Sequence, residues 1–207
     1  MQAFKKHTGK TAAIFQPNID TDQILPKQFL KRITKNGYGN FLFFDWRFDE
    51  QGNEKPDFVL NQPRFRDASI LLAGKNFGSG SSREHAPWSL ADFGFRVVIA
   101  PSFGEIFYNN CFKIGLLPII LEENLVAELV EKTEKIENYL LTVDLEKLLI
   151  FNEKNFSVRF ATDEFRRECL LNGWDDIGLI LKFEDKISEF ELKRPLWTFF
   201  LNENKEQ

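Results

Sequence analysis

Apolar and polar positions in the middle of the chain follow patterns that predict a parallel sheet flanked by helices. Three short apolar runs, at residues 68–73, 96–100 and 116–121, are typical of buried strands. Helical segments lie between them, at residues 81–93 and 103–114, and each ends before a glycine, Gly94 or Gly115. This β-α-β-α-β order predicts an α/β fold whose sheet is mostly parallel.

Weaker patterns flank this central unit. An apolar run at residues 12–15 predicts a strand that ends before Pro17, and turn-forming residues follow it at 18–22. A polar stretch at residues 52–63 is typical of an insertion or a long loop. Alternating apolar residues at 141–145 and 156–160 predict two strands paired as a β-hairpin. We expect one domain over residues 1–207, with a charged tail from about residue 183.

Charge and apolar run length exclude two classes of partner. The chain has 27 Lys and Arg against 31 Asp and Glu, a net charge of −4, so no general attraction to nucleic acid or to an anionic membrane is expected. The longest apolar run covers residues 116–121, whereas a membrane-spanning helix needs about 20 residues. The N-terminal residues 1–9 lack the apolar stretch of a secretory signal. The expected location is therefore the cytoplasm.

Cysteine and histidine are too few for this chain to hold a metal centre. The two cysteines, Cys111 and Cys169, lie far apart in the sequence, and there are only two histidines. A zinc or iron–sulfur site needs three or four such ligands. We therefore expect no cofactor and no metal in this chain, and any metal chemistry would depend on another chain.

A glycine- and serine-rich loop follows the buried strand at residues 68–73. It contains Gly78-Ser79-Gly80-Ser81-Ser82-Arg83, and ligands of open α/β sheets bind beyond the carboxyl ends of the strands. Ser81 or Ser82 is predicted to cap the following helix, which places Arg83 in its first turn. The helix start and the planar guanidinium of Arg83 both favour an anion, so the loop predicts a site for a carboxylate ligand.

Other interpretations of the glycine motifs are weaker. A dinucleotide site would need a third glycine where Arg83 stands, and an acidic residue where Pro101 and Ser102 follow the next strand. The stretch Gly9-Lys10-Thr11 lacks the earlier glycine of a phosphate-binding loop. An ordinary capped helix and a non-catalytic anion-binding module both remain open.

Two long motifs carry a resemblance to a known family. Residues 78–86 (G-S-G-S-S-R-E-H-A), 18–26 (N-I-D-T-D-Q-I-L-P) and 29–32 (F-L-K-R) resemble the small subunit of 3-isopropylmalate dehydratase, of the aconitase superfamily. The resemblance continues through residues 41–47 and 109–118. It implies a swivelling β/β/α domain that works in a heterodimer, with a [4Fe–4S] cluster supplied by the large subunit. It also implies a hydro-lyase of leucine biosynthesis, which isomerises 2-isopropylmalate to 3-isopropylmalate by dehydration and rehydration.

The same resemblance implies roles for individual residues. Ser81 would be the catalytic base, used as an alkoxide, and Arg83 would assist it and bind a substrate carboxylate. Ser82 would hydrogen-bond the substrate. The other expected substrate contacts are Asp22, Arg32 and the apolar Leu25. The small subunits of homoaconitase and of citraconate hydratase are the related alternatives.

Overall fold

The computed structural model describes residues 1–31, 36–153 and 156–193, which form seven strands and eight α-helices. The strands are β1 (Lys6–Ile14), β2 (Ala68–Ala73), β3 (Val97–Ala100), β4 (Leu117–Ile120), β5 (Leu140–Asp144), β6 (Leu149–Phe151) and β7 (Ser157–Arg159). The helices are α1 (Thr21–Ile24), α2 (Phe44–Arg47), α3 (His85–Phe93), α4 (Glu105–Ile114), α5 (Glu123–Lys135), α6 (Glu164–Asn172), α7 (Asp176–Leu181) and α8 (Glu184–Leu192).

One sheet contains all seven of these strands, in the order β4-β3-β2-β1-β5-β6-β7. The α/β class is confirmed, but the prediction of a mostly parallel sheet is wrong. The pairings among β1, β2, β3 and β4 are parallel, and those that join β1, β5, β6 and β7 are antiparallel. The reason lies in the connections: helices cross between the parallel strands, whereas short turns join β5, β6 and β7 and permit only antiparallel pairing.

The predicted β-hairpin is also wrong in its pairing. Segments 141–145 and 156–160 do not pair directly, because β6 lies between them and pairs with both. The connections on both sides of β6 are only a few residues long. The Asp144 carboxylate accepts a hydrogen bond from the backbone N–H of Lys147 at 2.9 Å, and the Asn152 side chain accepts one from the N–H of Phe156 at 3.0 Å. A strand of three residues is too short to show a periodicity in the sequence.

The central strands are buried on both faces, so the core forms two layers. Ile70 and Leu72 of β2 pack on one face with α5 and α6, while Leu71 and Ala73 pack on the other with α3. This arrangement explains why β2 and β3 are continuous apolar runs rather than alternating ones. The sheet is thereby fixed from both sides, and its strand ends hold the loops described below.

The polar stretch at residues 52–63 does more than connect elements. Short 3₁₀ turns occur at Val59–Asn61 and Pro63–Phe65, with buried Leu60 in the core. Buried Asn61 accepts a hydrogen bond from Arg47 Nε at 3.0 Å and donates one to the Arg47 carbonyl at 2.7 Å. The stretch therefore supplies partners to a buried guanidinium, which its composition does not reveal.

The chain separates into two compact units, Met1–Gly173 and Trp174–Gln207. The first contains all seven described strands and α1 to α6. The second contains α7 and α8, neither of which has a buried residue. The prediction of one domain with a charged tail from about residue 183 stays a prediction. Among the described residues, no helix has both the length and the apolar character needed to cross a membrane.

Candidate active site

The loop after β1 and the loop after β2 meet at one edge of the sheet. Asp20 and Ser79 form a parallel bridge, and the backbone N–H of Gly78 donates to the Ile19 carbonyl at 2.7 Å. β1 and β2 are neighbouring parallel strands, so their carboxyl ends lie at the same edge. This edge is where open α/β sheets bind ligands.

Gly78 is required by close packing rather than by an anion. Its φ is +73°, and a Cβ atom placed on it would lie 2.2 Å from the ring of Phe107. A Cβ on Gly104 would lie 2.5 Å from the Gly78 carbonyl oxygen. The Gly78 N–H is bonded to the Ile19 carbonyl. Its N–H therefore serves the contact between the two loops rather than a ligand.

Neither serine caps the following helix. α3 begins at His85, after Glu84, which makes no side-chain capping hydrogen bond. The predictions that Ser81 or Ser82 is the cap, and that Arg83 lies in the first turn, are wrong. The cause is tertiary, because contacts with the loop after β1 hold residues 79–83 in a non-helical path. Ser81 and Ser82 are both exposed.

An ion pair connects the two loops. Arg83 Nη1 donates a hydrogen bond to Asp22 Oδ1, and Arg83 Nη2 lies 3.4 Å from Ser81 Oγ. Lys27 Nζ lies 3.5 Å from Asp22 Oδ2. The exposed fraction of the side chain is 13% for Arg83 and 35% for Asp22, so this pair is better shielded than most surface pairs. The structure thus brings together the predicted site residues Ser81, Arg83 and Asp22.

Asp22 remains a carboxylate at neutral pH. Burial raises the pKa of its carboxyl, but hydrogen bonding to Arg83 and the charges of Arg83 and Lys27 outweigh burial and lower it overall. A carboxyl whose pKa is lowered on folding stabilises the fold above its unfolded pKa, and this stabilisation is lost as the pH falls through the folded pKa. The ion pair therefore persists through the neutral range and is lost only in acid, at a pH below the ordinary pKa of an aspartate.

Asp20 has a local structural role. Its side chain accepts a hydrogen bond from the Gln23 N–H at 2.8 Å, and the Gln23 side chain accepts one from the Asp20 N–H at 2.8 Å. This reciprocal pair is a capping box at the start of α1. The box fixes the turn that presents Thr21 and Asp22 to the glycine- and serine-rich loop at residues 78–83 (the serine loop).

Leu25 has no surface to offer a substrate. Its exposed fraction is 0%, as is that of Ile24. This burial does not support the prediction that Leu25 contacts substrate. The sequence could not decide the point, because a short apolar segment can form part of the core or the wall of a pocket. Phe29 and Leu30 are half-buried, and Phe29 stacks on Phe41 with ring centroids 4.2 Å apart. The remaining predicted substrate contact, Arg32, lies outside the described residues.

His85 is held among aromatic rings at the start of α3. Its ring makes edge contacts with Tyr38 and Trp88, at centroid distances of 5.4 and 4.7 Å. Burial is the main reason that the pKa of its imidazole is lowered. A lowered pKa favours the neutral ring, and the contacts with Tyr38 and Trp88 are those of a packed side chain.

The sequence does not single out Lys27, and it marks Thr21 only as one of three turn residues, with Asp20 and Asp22, that orient this loop or line the site. Lys27 is an ordinary basic residue in an apolar segment. Thr21 is buried and donates from Oγ1 to the Ser81 carbonyl at 3.1 Å. Only the tertiary contacts show that Lys27 and Thr21 have specific partners at this edge, because neither belongs to a sequence motif that indicates chemistry.

The described residues do not fit an iron–sulfur cluster. No group of three or more His, Cys, Asp or Glu side chains that could hold a metal occurs within residues 1–31, 36–153 and 156–193. Cys111 and Cys169 are both buried, and burial raises the pKa of the Cys111 thiol well above its usual value. A cluster ligand must be a thiolate, which this environment disfavours.

The fold and the loop at its edge define the class of the protein. Residues 1–124 match the family model of the aconitase C-terminal domain, so this is an aconitase-type domain. The curated relatives are more specific, and they are named 3-isopropylmalate dehydratase small subunit. The chain belongs to this family of small subunits. The resemblance based on the two motifs is thereby confirmed.

These similarities extend over nearly the whole chain. The relative from Koribacter versatilis is 57% identical over 92% of this chain and 98% of its own length. The relative from Bacillus subtilis is 52% identical over 95% of this chain and 98% of its own. The crystal structure of 3-isopropylmalate dehydratase (LeuD) from Methanocaldococcus jannaschii has a TM-score of 0.63 and 25% identity, covering 89% of this chain and 98% of that one.

Proposed function

We propose that this chain acts with a large-subunit partner to convert 2-isopropylmalate to 3-isopropylmalate in leucine biosynthesis. The reaction removes water and returns it with the hydroxyl on the neighbouring carbon. The observation that carries the proposal is the exposed Ser81 beside Arg83, whose guanidinium is anchored by Asp22. Relatives more than 50% identical over most of the chain bear the dehydratase name.

Ser81 is the proposed base that removes the proton from carbon. A free serine hydroxyl is far too weak an acid for this role, so its anionic form needs stabilisation from neighbouring groups. Arg83 Nη2, at 3.4 Å from Ser81 Oγ, places a positive charge where it favours the alkoxide. α3 begins only at His85, so Arg83 rather than the helix start supplies most of this stabilisation.

Arg83 and Ser82 are the proposed contacts to the substrate. The Arg83 guanidinium is held by Asp22 through one nitrogen, and its planar fork suits a carboxylate. Asp22 then keeps Arg83 at the site before substrate arrives. Ser82 is exposed, so we expect its hydroxyl to reach a polar group of the ligand.

The partner is expected to complete the site. Ser81 and Ser82 are exposed in this chain, whereas an active site must exclude water from the reacting groups. The proposed [4Fe–4S] cluster belongs to the large subunit, because the described residues of this chain do not fit one. The half-buried Phe29 and Leu30, rather than Leu25, are the proposed apolar contacts for the branched group of isopropylmalate.

Reconstitution tests this proposal. The purified chain alone is expected to show no dehydratase activity and no iron absorbance, and activity is expected when it is mixed anaerobically with its large subunit. The control is the large subunit alone, which should be inactive without this chain. Robust turnover by either chain alone would contradict the two-subunit proposal. Tight dicarboxylate binding by the small chain, with no activity in the mixture, would instead favour an anion-binding module.

A further inference from the structure

Thr21 joins the loop after β1 to the backbone of the serine loop. Its side chain is 1% exposed, and its hydroxyl donates a hydrogen bond to the Ser81 carbonyl oxygen at 3.1 Å. Its backbone N–H donates a second hydrogen bond to the Ser79 carbonyl oxygen at 2.9 Å. One buried residue therefore holds the serine loop on both sides of Gly80.

The segment between these two hydrogen bonds depends on them for its shape. Gly80 has φ +92°, in the region that only glycine adopts readily, and a Cβ on it would lie 3.7 Å from Thr21 Oγ1. Such a segment has many accessible conformations when it is not tied down. The two hydrogen bonds from Thr21 select the one in which Ser81 faces solvent beside Arg83.

The side chain of Ser81 is not fixed as well as its backbone. Its hydroxyl lies 3.4 Å from Arg83 Nη2, which is a long hydrogen bond, and the residue is exposed. Its position therefore depends chiefly on where the backbone places its Cα. Catalytic rates are sensitive to displacements of about 1 Å of a reacting group.

We infer that Thr21 is a positioning residue for Ser81, acting through the hydrogen bond from its hydroxyl to the Ser81 carbonyl. The inference rests on the proposed function of Ser81 as the base. Thr21 itself contacts no substrate, since its side chain is buried. Its effect is on the rate of proton removal rather than on substrate binding.

Two substitutions separate the contribution of the Thr21 hydroxyl from the contribution of the side chain's shape. Thr21→Val preserves the shape and removes the donor, whereas Thr21→Ser preserves the donor. In the reconstituted enzyme, Thr21→Val is expected to lower kcat about 10- to 100-fold with KM changed less than about threefold, because the contribution is made in the transition state. Thr21→Ser is expected to restore most of kcat. Thr21→Ala is measured in parallel, so that the result does not depend on how one side chain packs.

A matched control exists in the same unit of the chain. Thr133 is also 1% exposed, and its hydroxyl donates to the Leu129 carbonyl at 2.8 Å and contacts Thr11 Oγ1 at 2.7 Å. Thr133→Val removes a buried hydroxyl of the same kind without touching the serine loop. It is expected to lower the melting temperature to an extent comparable with Thr21→Val while leaving kcat unchanged.

A double substitution distinguishes the positioning of Ser81 from general destabilisation of the fold, through the kcat of the double variant. If Thr21 acts only through Ser81, then Thr21→Val combined with Ser81→Ala is expected to be no slower than Ser81→Ala alone. Equal kcat losses for Thr21→Val and Thr133→Val, no rescue by Thr21→Ser, or additive losses in the double variant would each overturn the inference. An inactive unmodified mixture would instead overturn the proposed function, so the two failures are distinguishable.

Discussion

Ser81→Ala is expected to lower kcat of the reconstituted enzyme by about 10²- to 10⁴-fold, with a smaller change in KM. A positioned general base contributes a factor of this size, and it does so in the transition state. The exposed hydroxyl makes no buried contact, so its loss should leave the fold and the assembly with the large subunit intact. Steady-state kinetics of the assembled enzyme, together with the melting temperature of each variant, measure both effects.

Ser157→Ala is the control for this substitution. Ser157 is exposed on β7, and its removal should change neither kinetic constant. Near-normal turnover by Ser81→Ala would show that Ser81 is not the base. The serine loop would then be a structural connection between β2 and α3.

Arg83→Lys is expected to weaken substrate binding and turnover together, lowering kcat/KM about 10- to 100-fold. Lysine retains the charge but loses the planar fork that holds Asp22 and that, in the proposed function, binds a substrate carboxylate. Charge-assisted hydrogen bonds of this kind contribute about 1.5–3 kcal/mol each. Measuring KM and kcat separately, at neutral pH where Asp22 is ionised, tests both parts of the expectation.

Arg96→Lys is the control for the loss of a guanidinium. Arg96 donates to the Gln2 side chain at 2.9 Å and its guanidinium lies over the Phe4 ring, so its replacement affects packing in another part of the fold. Its kcat/KM should remain at the unmodified value. An Arg83→Lys enzyme with unchanged KM would contradict the role of Arg83 as a carboxylate ligand.

Features that depend on only a few neighbouring residues, such as helix ends and buried strands, are predicted well from the sequence. α3 and α4 end at the glycines expected to end them, Gly94 with φ +122° and Gly115 with φ +86°. The end of a helix often requires one residue with positive φ, which glycine adopts readily. A single glycine in the sequence is therefore enough to predict where the helix ends. The three apolar runs are strands β2, β3 and β4 for a similarly local reason.

Features set by tertiary contacts could not be predicted in the same way. The start of α3 depends on the pairing of Arg83 with Asp22, 61 positions apart, which overrides the ordinary capping preference of Ser81 and Ser82. The burial of Leu25 depends on what packs over it, and its apolar identity is compatible with core or pocket. The two motifs identified the family, while the hydrogen bonds of Thr21 to the loop after β2 are seen only in the structure.

The proposed function is tested most directly by the ratio of kcat/KM for 2-isopropylmalate to that for citrate, in the enzyme assembled from this chain and its large subunit. Citrate places a carboxylate where isopropylmalate has a branched apolar group, and an apolar surface such as Phe29 and Leu30 leaves that carboxylate without a partner. We expect a large ratio, with homocitrate equally disfavoured, and only a modest preference for isopropylmalate over malates with smaller alkyl groups. Equal kcat/KM for citrate and isopropylmalate would contradict it.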